Sequence, residues 1–274
     1  MPSVGLSTVE SVLQTVTFPN YASKHTAAST PLVTPERMVR HLRERGLLEG
    51  YVAPRGIVLL YQSPFARSLL DREPHRAVSP YPHYLFLLDR TAGQVGVLAF
   101  FGIGSPAVSA LVEMLAALGT RRFISLGAAG GLQPGGSVGD LVVCNAAVRD
   151  EGVSHHYLAP ARLAHPSAVL TEELANALTT SGCSFNVGTT WTIDAPFRET
   201  AEELRHYRDD GILTVEMEAA ALFAIGQHRG FDVATAFVLS DTLSELEWVP
   251  DFASPLILDG LRTLTDVAIE VLQA

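Results

Sequence analysis

Apolar residues along this chain follow two patterns, and together they predict a succession of strands and helices. Short runs that are apolar at nearly every position are typical of strands buried on both faces. Longer segments with apolar residues three or four positions apart predict amphipathic helices. The predicted strands are 56–61, 84–88, 94–101, 123–126, 141–144, 187–193 and 233–239. The predicted helices are 34–45, 105–118, 167–180, 199–208, 215–230 and 254–272.

The alternation of these elements predicts an α/β fold with a mainly parallel sheet covered by helices. Residues 62–83 contain four prolines and predict no clear element. Residues 1–33 are rich in Ser, Thr and Pro and show no sustained period, so we expect an N-terminal arm. Residues 34–274 show neither an internal repeat nor a linker, and we expect them to form a single domain.

Composition excludes several classes of function. The 274 residues are 47% hydrophobic and can build a large core. A net charge of −10 without a basic cluster argues against nucleic-acid and anionic-membrane partners. No apolar run reaches the roughly 18 residues of a membrane span, and no secretory signal is visible. Cys144 and Cys183 lack metal-ligand spacing, so we expect a reduced cytoplasmic protein with no metal site and no cofactor.

The chain is organised around residues 215–221, where two carboxylates flank a methionine and lead into a helix. The helix lacks polar side chains from Ala219 to Ile225, so it should be buried. Glu216 and Glu218 lie about 200° apart around a helix, so we expect at most one of them to face a given pocket. Acids at a helix start are also stabilised by the helix dipole. The functional interpretation is a carboxylate that binds two sugar hydroxyls, with a thioether against the ring.

Two glycine-containing segments follow predicted strands. Residues 102–107 fit the G-x-G-x-x-A pattern of dinucleotide sites, but the next strand ends without the acid that binds the ribose. That absence argues against a nicotinamide oxidoreductase, although backbone N–H groups at such a turn can hold a small anion. Residues 127–140 are predicted to form a glycine-rich loop that brings the backbone close to a ligand.

Three further side chains have both a structural and a functional interpretation. Asp241 ends a buried strand, where it either caps the next turn or donates a proton to a leaving group. Arg198 lies at a loop-to-helix junction, either solvated or recognising a planar base. His156 follows His155, and since adjacent histidines seldom bind one metal, we consider it a candidate to line a pocket.

In their order along the chain, four of these segments resemble the nucleoside phosphorylase family, which includes uridine phosphorylase, purine nucleoside phosphorylase and the methylthioadenosine nucleosidases. The segments are residues 101–106, 126–140, 215–218 and 239–241. The resemblance implies a three-layer α/β/α fold around a mixed, mainly parallel, partly closed sheet. It also implies a homo-oligomer that cleaves the N-glycosidic bond of a nucleoside.

The same resemblance assigns roles to individual residues. It implies that Glu218 binds the ribose hydroxyls as a catalytic group, with Glu216 and Met217 completing the sugar site. Asp241 matches the position at which purine-specific members place an Asp that assists departure of the base. Phe197 and Arg198 fall in the segment with which uridine phosphorylases hold the base, although the Gln and Arg spacing of that motif is not reproduced here. A purine or purine-like base is therefore favoured.

The departures from the family pattern concern the group that accepts the sugar. Phosphorolytic members carry Gly-Asp-Pro-x-Arg after the first strand, whereas Arg67 is displaced by one position here and the Gly and Asp are lost. An Arg and a Thr of that site correspond to Ser125 and Ala128. Each lost charge-assisted bond is worth about 1.5–3 kcal/mol, which favours water over phosphate as the acceptor. The acceptor site is predicted at Gly104, Arg67, Ser125, Gly127 and Ala128.

Two alternatives remain open at this point. The water-activating Glu of the nucleosidases, expected just after the first strand, is absent as well. A phosphate-dependent phosphorylase is therefore one alternative, in which a nearby Arg compensates for the lost groups. A nucleoside-binding relative without catalytic activity is the other.

Overall fold

The computed structural model describes Lys24, residues 30–79 and residues 81–274. The α-helices are α1 (Pro35–Glu44), α2 (Ser63–Leu70), α3 (Ser105–Leu118), α4 (Ala168–Thr180), α5 (Ala201–Asp209), α6 (Ala219–Arg229) and α7 (Pro255–Gln273). The strands are β1 (Gly56–Leu60), β2 (His75–Ala77), β3 (Leu85–Leu88), β4 (Val95–Leu98), β5 (Arg122–Gly131), β6 (Leu141–Asp150), β7 (Leu163–Ala164), β8 (Asn186–Ile193), β9 (Thr214–Glu216), β10 (Asp232–Thr242) and β11 (Val249–Pro250). The predicted arm over residues 1–33 lies almost entirely outside the described residues.

The strands form one mixed sheet in the order β11-β10-β6-β8-β9-β5-β1-β4-β3-β2, with β7 beside β6. Strand β10 pairs with β6 and also with β5, so β10, β6, β8, β9 and β5 close into a ring. The long central pairings of β1 with β5, β5 with β10, and β6 with β8 are parallel. These pairings confirm the predicted mixed, partly closed sheet.

Helices cover both faces of the sheet. On one face, α2, α4 and α7 contribute buried residues such as Leu69, Leu174 and Leu264 to a cluster with the strands. On the other face, α3 and α6 contribute residues such as Val112 and Phe223 to a second cluster. The three-layer α/β/α arrangement is therefore confirmed. Within the described residues, no helix has the length and apolar character needed to cross a membrane.

Local sequence signals account for several helix boundaries. The Thr34 hydroxyl accepts the Arg37 N–H at the start of α1, where Pro35 occupies the first turn. Helix α6 ends at Gly230, whose φ of 71° is a left-handed conformation that glycine adopts readily. At the start of α5, Thr200 and Glu203 bond reciprocally in a capping box.

The prediction of no element in residues 62–83 is wrong, because α2 and β2 lie there. Pro64 occupies the first turn of α2, where the missing N–H costs no helical hydrogen bond. Phe65, Ala66 and Leu69 then form a buried helical face.

Two boundaries near the organising segment also differ from the predictions. Strand β5 continues to Gly131, so the predicted loop 127–140 begins as strand. A Cβ at Gly130 would lie 2.6 Å from Leu243 Cδ1 and 3.2 Å from Asp241 Oδ2, which explains a glycine inside a strand. Val215 belongs to β9, and the helix begins only at Ala219.

Ser105 is the first residue of α3, and its hydroxyl donates to the Met217 carbonyl at 2.7 Å. Val169 of α4 is 68% exposed although it is apolar. It lies in the first turn of that helix, ahead of the buried Leu170 and Leu174.

Candidate active site

A cavity of about 770 Å³ opens where β1, β5, β9 and β10 end. In α/β sheets, side chains and backbone groups at the carboxyl ends of strands are free to face a ligand. The loop before α5 and the segment between β10 and α7 form the remaining walls. All four sequence segments that suggested the family contribute residues to this cavity or bond to residues that line it.

Glu216 lies in the cavity wall, with its carboxylate engaged by the protein itself. Its Oε2 accepts the backbone N–H groups of Glu218 at 2.7 Å and Ala219 at 2.8 Å, and its Oε1 accepts the Thr192 hydroxyl at 2.5 Å. These bonds satisfy N–H groups that the start of α6 leaves without helical partners. Burial raises the pKa of Glu216 above its usual range, against the lowering effect of the three bonds.

Glu218 also lines the cavity and is only 8% exposed. The expectation that at most one of the two acids faces a given pocket is therefore wrong, because Glu216 belongs to β9 and not to the helix. Its Oε1 accepts the Gly104 N–H at 2.5 Å, which ties the organising segment to the turn before α3. A carboxylate can accept about four hydrogen bonds, so capacity remains for hydroxyl groups of a ligand. Burial, together with the charge of Glu216 nearby, raises the pKa of Glu218 well above its usual range.

Met217 lies between these two acids and lines the same wall. The bond from Ser105 to its backbone carbonyl fixes the segment against α3. Its Cε lies 3.9 Å from the Cβ position of Gly104, an ordinary contact distance, and it is the φ of 94° that favours glycine at that position. The wall therefore combines an apolar sulfur-bearing side chain with a carboxyl group next to it.

Asp241 lies near the end of β10, lines the cavity and is 8% exposed. Its Oδ1 accepts the Ser240 hydroxyl at 2.7 Å, and its Oδ2 accepts the Trp248 indole N–H at 2.9 Å. A register shift between Leu239 and Asp241, where β10 pairs with β5, accompanies this orientation. Both oxygens are thus held in place by donors on the same chain.

A third wall follows the end of β1, where Tyr61, Gln62, Gly127 and Ala128 line the cavity. The buried Tyr61 hydroxyl and the Ser125 hydroxyl share a 2.8 Å hydrogen bond. The Tyr61 ring lies 3.4 Å from the Cβ position of Gly127, so that glycine admits the ring. The side-chain amide oxygen of Gln62, Oε1, is buried and has no hydrogen-bond partner among the described residues.

The cavity is acidic. Four of its lining residues carry carboxyl groups, namely Glu199, Glu216, Glu218 and Asp241. Over the described ranges, no Lys, Arg or His lines it. Aromatic and aliphatic side chains supply most of the remaining wall, including Phe197, Trp248, Phe252 and Leu243. The arrangement is suited to a neutral ligand that has hydroxyl and N–H donors and a flat apolar part.

The structure does not bring every predicted site residue to this cavity. Arg67 lies on the exposed face of α2, with its guanidinium 5.6 Å from the centre of the Phe100 ring. Arg198 is exposed at the end of a 3₁₀ turn, beside Phe197, whose ring is at the cavity rim. His156 is exposed in a turn that packs near α6, away from the cavity. Arg67, Arg198 and His156 were predicted as site residues, and none of the three lines this cavity.

The remaining acceptor-site residues are placed in two ways. Gly127 and Ala128 line the cavity directly. Ser125 is buried behind them and bonded to Tyr61, while Gly104 acts through its N–H on Glu218.

Sequence reasoning missed Gln62, Glu199 and Trp248, which all line the cavity. Gln62 directly follows the first buried strand, and that position was a signal that could have found it.

Comparison with known proteins places the chain among proteins of one superfamily. The family model described as the phosphorylase superfamily matches residues 57–254. Guanosine phosphorylase from Halorubrum lacusprofundi is 34% identical over 129 residues, which cover 47% of this chain and 54% of that protein. Uridine phosphorylase from Haemophilus influenzae is 33% identical over 147 residues, covering 48% of this chain and 58% of that protein. The chain thus spans about half the length of the curated relatives it matches.

A solved structure shows the same fold over a longer stretch. The crystal structure of AMP nucleosidase from Bacteroides thetaiotaomicron matches with a TM-score of 0.69 at 21% identity. The match covers 87% of this chain and 98% of that one. At this identity the likeness concerns the arrangement of helices and strands.

Proposed function

Because the chain belongs to the phosphorylase superfamily, we propose that it cleaves the N-glycosidic bond of a nucleoside and transfers the sugar to water. The observation that carries this proposal is the charge of the cavity. Its described lining holds four carboxyl groups and no basic side chain. A phosphate site requires charge-assisted donors, and negative groups around it would repel the dianion. Water needs no such cation.

The acidic lining also suits the chemistry of the bond. Cleavage passes through a sugar with developing positive charge, and carboxylates placed beforehand around it stabilise that charge. In this proposal Glu218 accepts hydrogen bonds from the sugar hydroxyls and Met217 packs on the apolar face of the ring. Glu216 supports them by holding the backbone of Glu218 and the start of α6.

Asp241 is proposed to assist the leaving base as a general acid or hydrogen-bonding group. The Ser240 hydroxyl and the Trp248 indole fix its two oxygens, which favours a defined direction of proton transfer. Phe197 at the rim of the cavity and Trp248 in its wall supply the flat apolar surface that a nucleobase requires. A purine is favoured, in keeping with the name of the guanosine phosphorylase relative.

Gln62 marks the wall at which the acceptor is proposed to bind. Its buried side-chain oxygen, Oε1, has no partner within the described part of the chain, and Gln62 lines the cavity. A buried acceptor without a donor is costly, so a bound water that donates to it is favoured. A neutral amide can orient that water but cannot take its proton, which leaves proton acceptance to a carboxylate of the cavity.

The lack of basic side chains in the described lining also restricts the charge of the substrate. A nucleoside 5′-phosphate would bring two negative charges to a cavity whose described lining includes no basic group. The proposal therefore specifies a neutral nucleoside as the substrate, unlike the nucleotide named for the AMP nucleosidase neighbour.

The test is base release from a panel of purine and pyrimidine nucleosides in phosphate-free buffer, followed by reverse-phase chromatography. We expect free base and free sugar from a purine nucleoside, and no increase in rate when inorganic phosphate is added. Absence of release from every nucleoside under both conditions contradicts the proposal. Binding of a nucleoside without release identifies a non-catalytic relative instead.

Phosphorolysis is the second candidate, and the names of the two curated relatives favour it. It requires a cation at the cavity, and a second copy of the chain is the expected source in a homo-oligomer. Release that depends on phosphate and yields a sugar 1-phosphate supports this candidate over hydrolysis.

A further inference from the structure

Tyr61 forms part of the cavity wall at which the acceptor is proposed to bind. It directly follows β1, and its hydroxyl shares a 2.8 Å hydrogen bond with the hydroxyl of Ser125 in β5. Ser125 pairs with Leu59, two residues before Tyr61, so the tyrosine side chain runs back along the sheet. Tyr61 is only 8% exposed, and its side chain separates Ser125 from the cavity.

Three contacts fix the position of the Tyr61 ring. The first is the bond from its hydroxyl to Ser125. The second is the Phe101 ring, whose centre lies 5.4 Å away at an interplanar angle of 65°, an edge-to-face arrangement. The third is Gly127, where a Cβ would lie 3.4 Å from the Cδ2 atom of the ring. The ring is thus a fixed part of the wall, with the backbone of β5 packed against it.

The polar groups behind and beside this ring are unsuited to an anion. The Ser125 hydroxyl is buried and engaged by Tyr61. Burial and the negative charge of Glu218 raise the pKa of Tyr61 well above its usual range, so its hydroxyl stays neutral. Next to it, Gln62 Oε1 is buried without a partner in the described part of the chain. That oxygen accepts a hydrogen from water and repels the oxygens of an anion.

We propose that Tyr61 determines which acceptor reaches the sugar: its ring occupies the space beside β5 that a phosphate would need and leaves room for a water on Gln62. The inference rests on the proposed function and adds the residue that excludes phosphate. A phosphate is larger than a water and requires charge-assisted donors. The wall provides neither the space nor the donors, because the ring fills it and the hydroxyl pair is bonded within the protein.

The test exchanges bulk between the two bonded residues. In Tyr61→Ala/Ser125→Arg the ring is removed from one strand and a long cationic side chain is added on its neighbour. The guanidinium can then extend through the vacated space to the cavity. The measured quantity is the dissociation constant of inorganic phosphate, obtained by isothermal titration calorimetry. We expect phosphate to bind the double variant about 10–100-fold more tightly than wild type, the effect of one bond to a charged group.

Two single variants are the matched controls. Ser125→Arg places the cation behind an intact ring, so it should bind phosphate no better than wild type and unfold at a lower temperature than the double variant. Tyr61→Phe keeps the ring and removes the hydroxyl, so it should also show wild-type phosphate affinity. Phosphate binding by either single variant as tight as by the double variant overturns the inference.

A folded double variant that binds phosphate no better than wild type also overturns it. Replacing a buried tyrosine by alanine removes core volume and lowers stability. Tyr61→Val/Ser125→Arg, which retains part of that volume, is therefore measured in parallel, with the unfolding temperature of each variant recorded.

Base release on the same proteins separates this inference from the proposed function, because phosphate binding requires no turnover. If wild type releases no base but the double variant gains phosphate affinity, the proposed function fails and the exclusion of phosphate by Tyr61 stands. If wild type releases base without phosphate and the double variant gains no affinity, the inference fails and the proposed function stands. Release by wild type that depends on phosphate overturns both.

Discussion

The carboxylate of Glu216 accepts the backbone N–H of Glu218 at 2.7 Å, so one buried acid positions the other. The same Oε2 also accepts the Ala219 N–H, and together these bonds start helix α6. Glu218 is thereby directed toward Gly104 and the cavity. The two acids thus have different roles: the Glu216 side chain binds backbone N–H groups, and the Glu218 side chain faces the cavity.

This division predicts opposite effects of two truncations. Glu216→Ala leaves two N–H groups and the Thr192 hydroxyl without their acceptor, and should lower the free energy of unfolding by about 1–3 kcal/mol. Glu218→Ala should change stability less and lower kcat/KM about 10²–10⁴-fold, because it removes the proposed sugar contact. Urea unfolding and steady-state kinetics on both variants check this. Equal loss of activity at unchanged stability in the two variants would refute the division.

The raised pKa of Glu218 predicts a pH-dependent stability. An acid whose pKa is raised on folding contributes stability that is fully present below its unfolded value, here 4.5, and lost as the pH rises through the folded value. Glu218→Gln removes this loss, since an amide does not ionise. The variant should therefore match wild type near pH 4.5 and become more stable than wild type above it, by an amount on the order of 4 kcal/mol at about pH 8.

Thermal unfolding of wild type and Glu218→Gln across this pH range is the measurement, with activity recorded in parallel. We expect the variant to gain stability while losing turnover, as groups shaped for function often reduce stability. Stability curves that run parallel at all pH values would show that Glu218 does not ionise with a shifted pKa.

The bond from the Trp248 indole to Asp241 predicts a role for a tryptophan that is 57% exposed. Trp248→Phe retains an apolar ring and removes the N–H donor, so Asp241 loses one of the two groups that orient it. We expect kcat to fall about tenfold, the effect of one bond to a charged group, with little change in KM. Asp241→Ala, which removes the acid itself, should cost about 10²–10⁴-fold. An unchanged rate in Asp241→Ala would exclude its role in base departure.

Replacement of Arg67 distinguishes water from phosphate as the acceptor of the sugar. Its guanidinium lies over the Phe100 ring on an exposed face of α2, outside the cavity. Arg67→Ala should leave the rate of base release unchanged and cost less than about 1 kcal/mol of stability. A large rate loss that appears only in phosphate buffer would show that Arg67 holds phosphate and that the acceptor has been misassigned.

Much of the fold follows from the sequence because its signals are local. Thr34 and Pro35 mark the start of α1, and Gly230 marks the end of α6. The prolines of residues 62–83 predict breaks in regular structure, whereas Pro64 occupies the first turn of α2, where a helix tolerates proline. The strand character of Gly130 depends on Leu243 and Asp241, which are distant in sequence, so no local pattern could reveal it.

The candidate site was predictable where a motif carries the chemistry. Glu218, Met217 and Asp241 all line the cavity, as the ordered motifs suggested. Arg67 was predicted to lie near the cavity from its spacing, but spacing cannot fix the face of a helix that was not foreseen. Glu199 was missed for the opposite reason: it lies in a charged stretch typical of a solvated helix, and only the folded chain places it beside Asp241.

The central claim is that water accepts the sugar, and the product identifies the acceptor directly. We would incubate the protein with a purine nucleoside and inorganic phosphate and follow the reaction by ³¹P and ¹H nuclear magnetic resonance. The acidic cavity predicts free sugar, an unchanged phosphate signal and the same rate without phosphate. Stoichiometric formation of a sugar 1-phosphate, together with no release of base when inorganic phosphate is left out, would contradict the account.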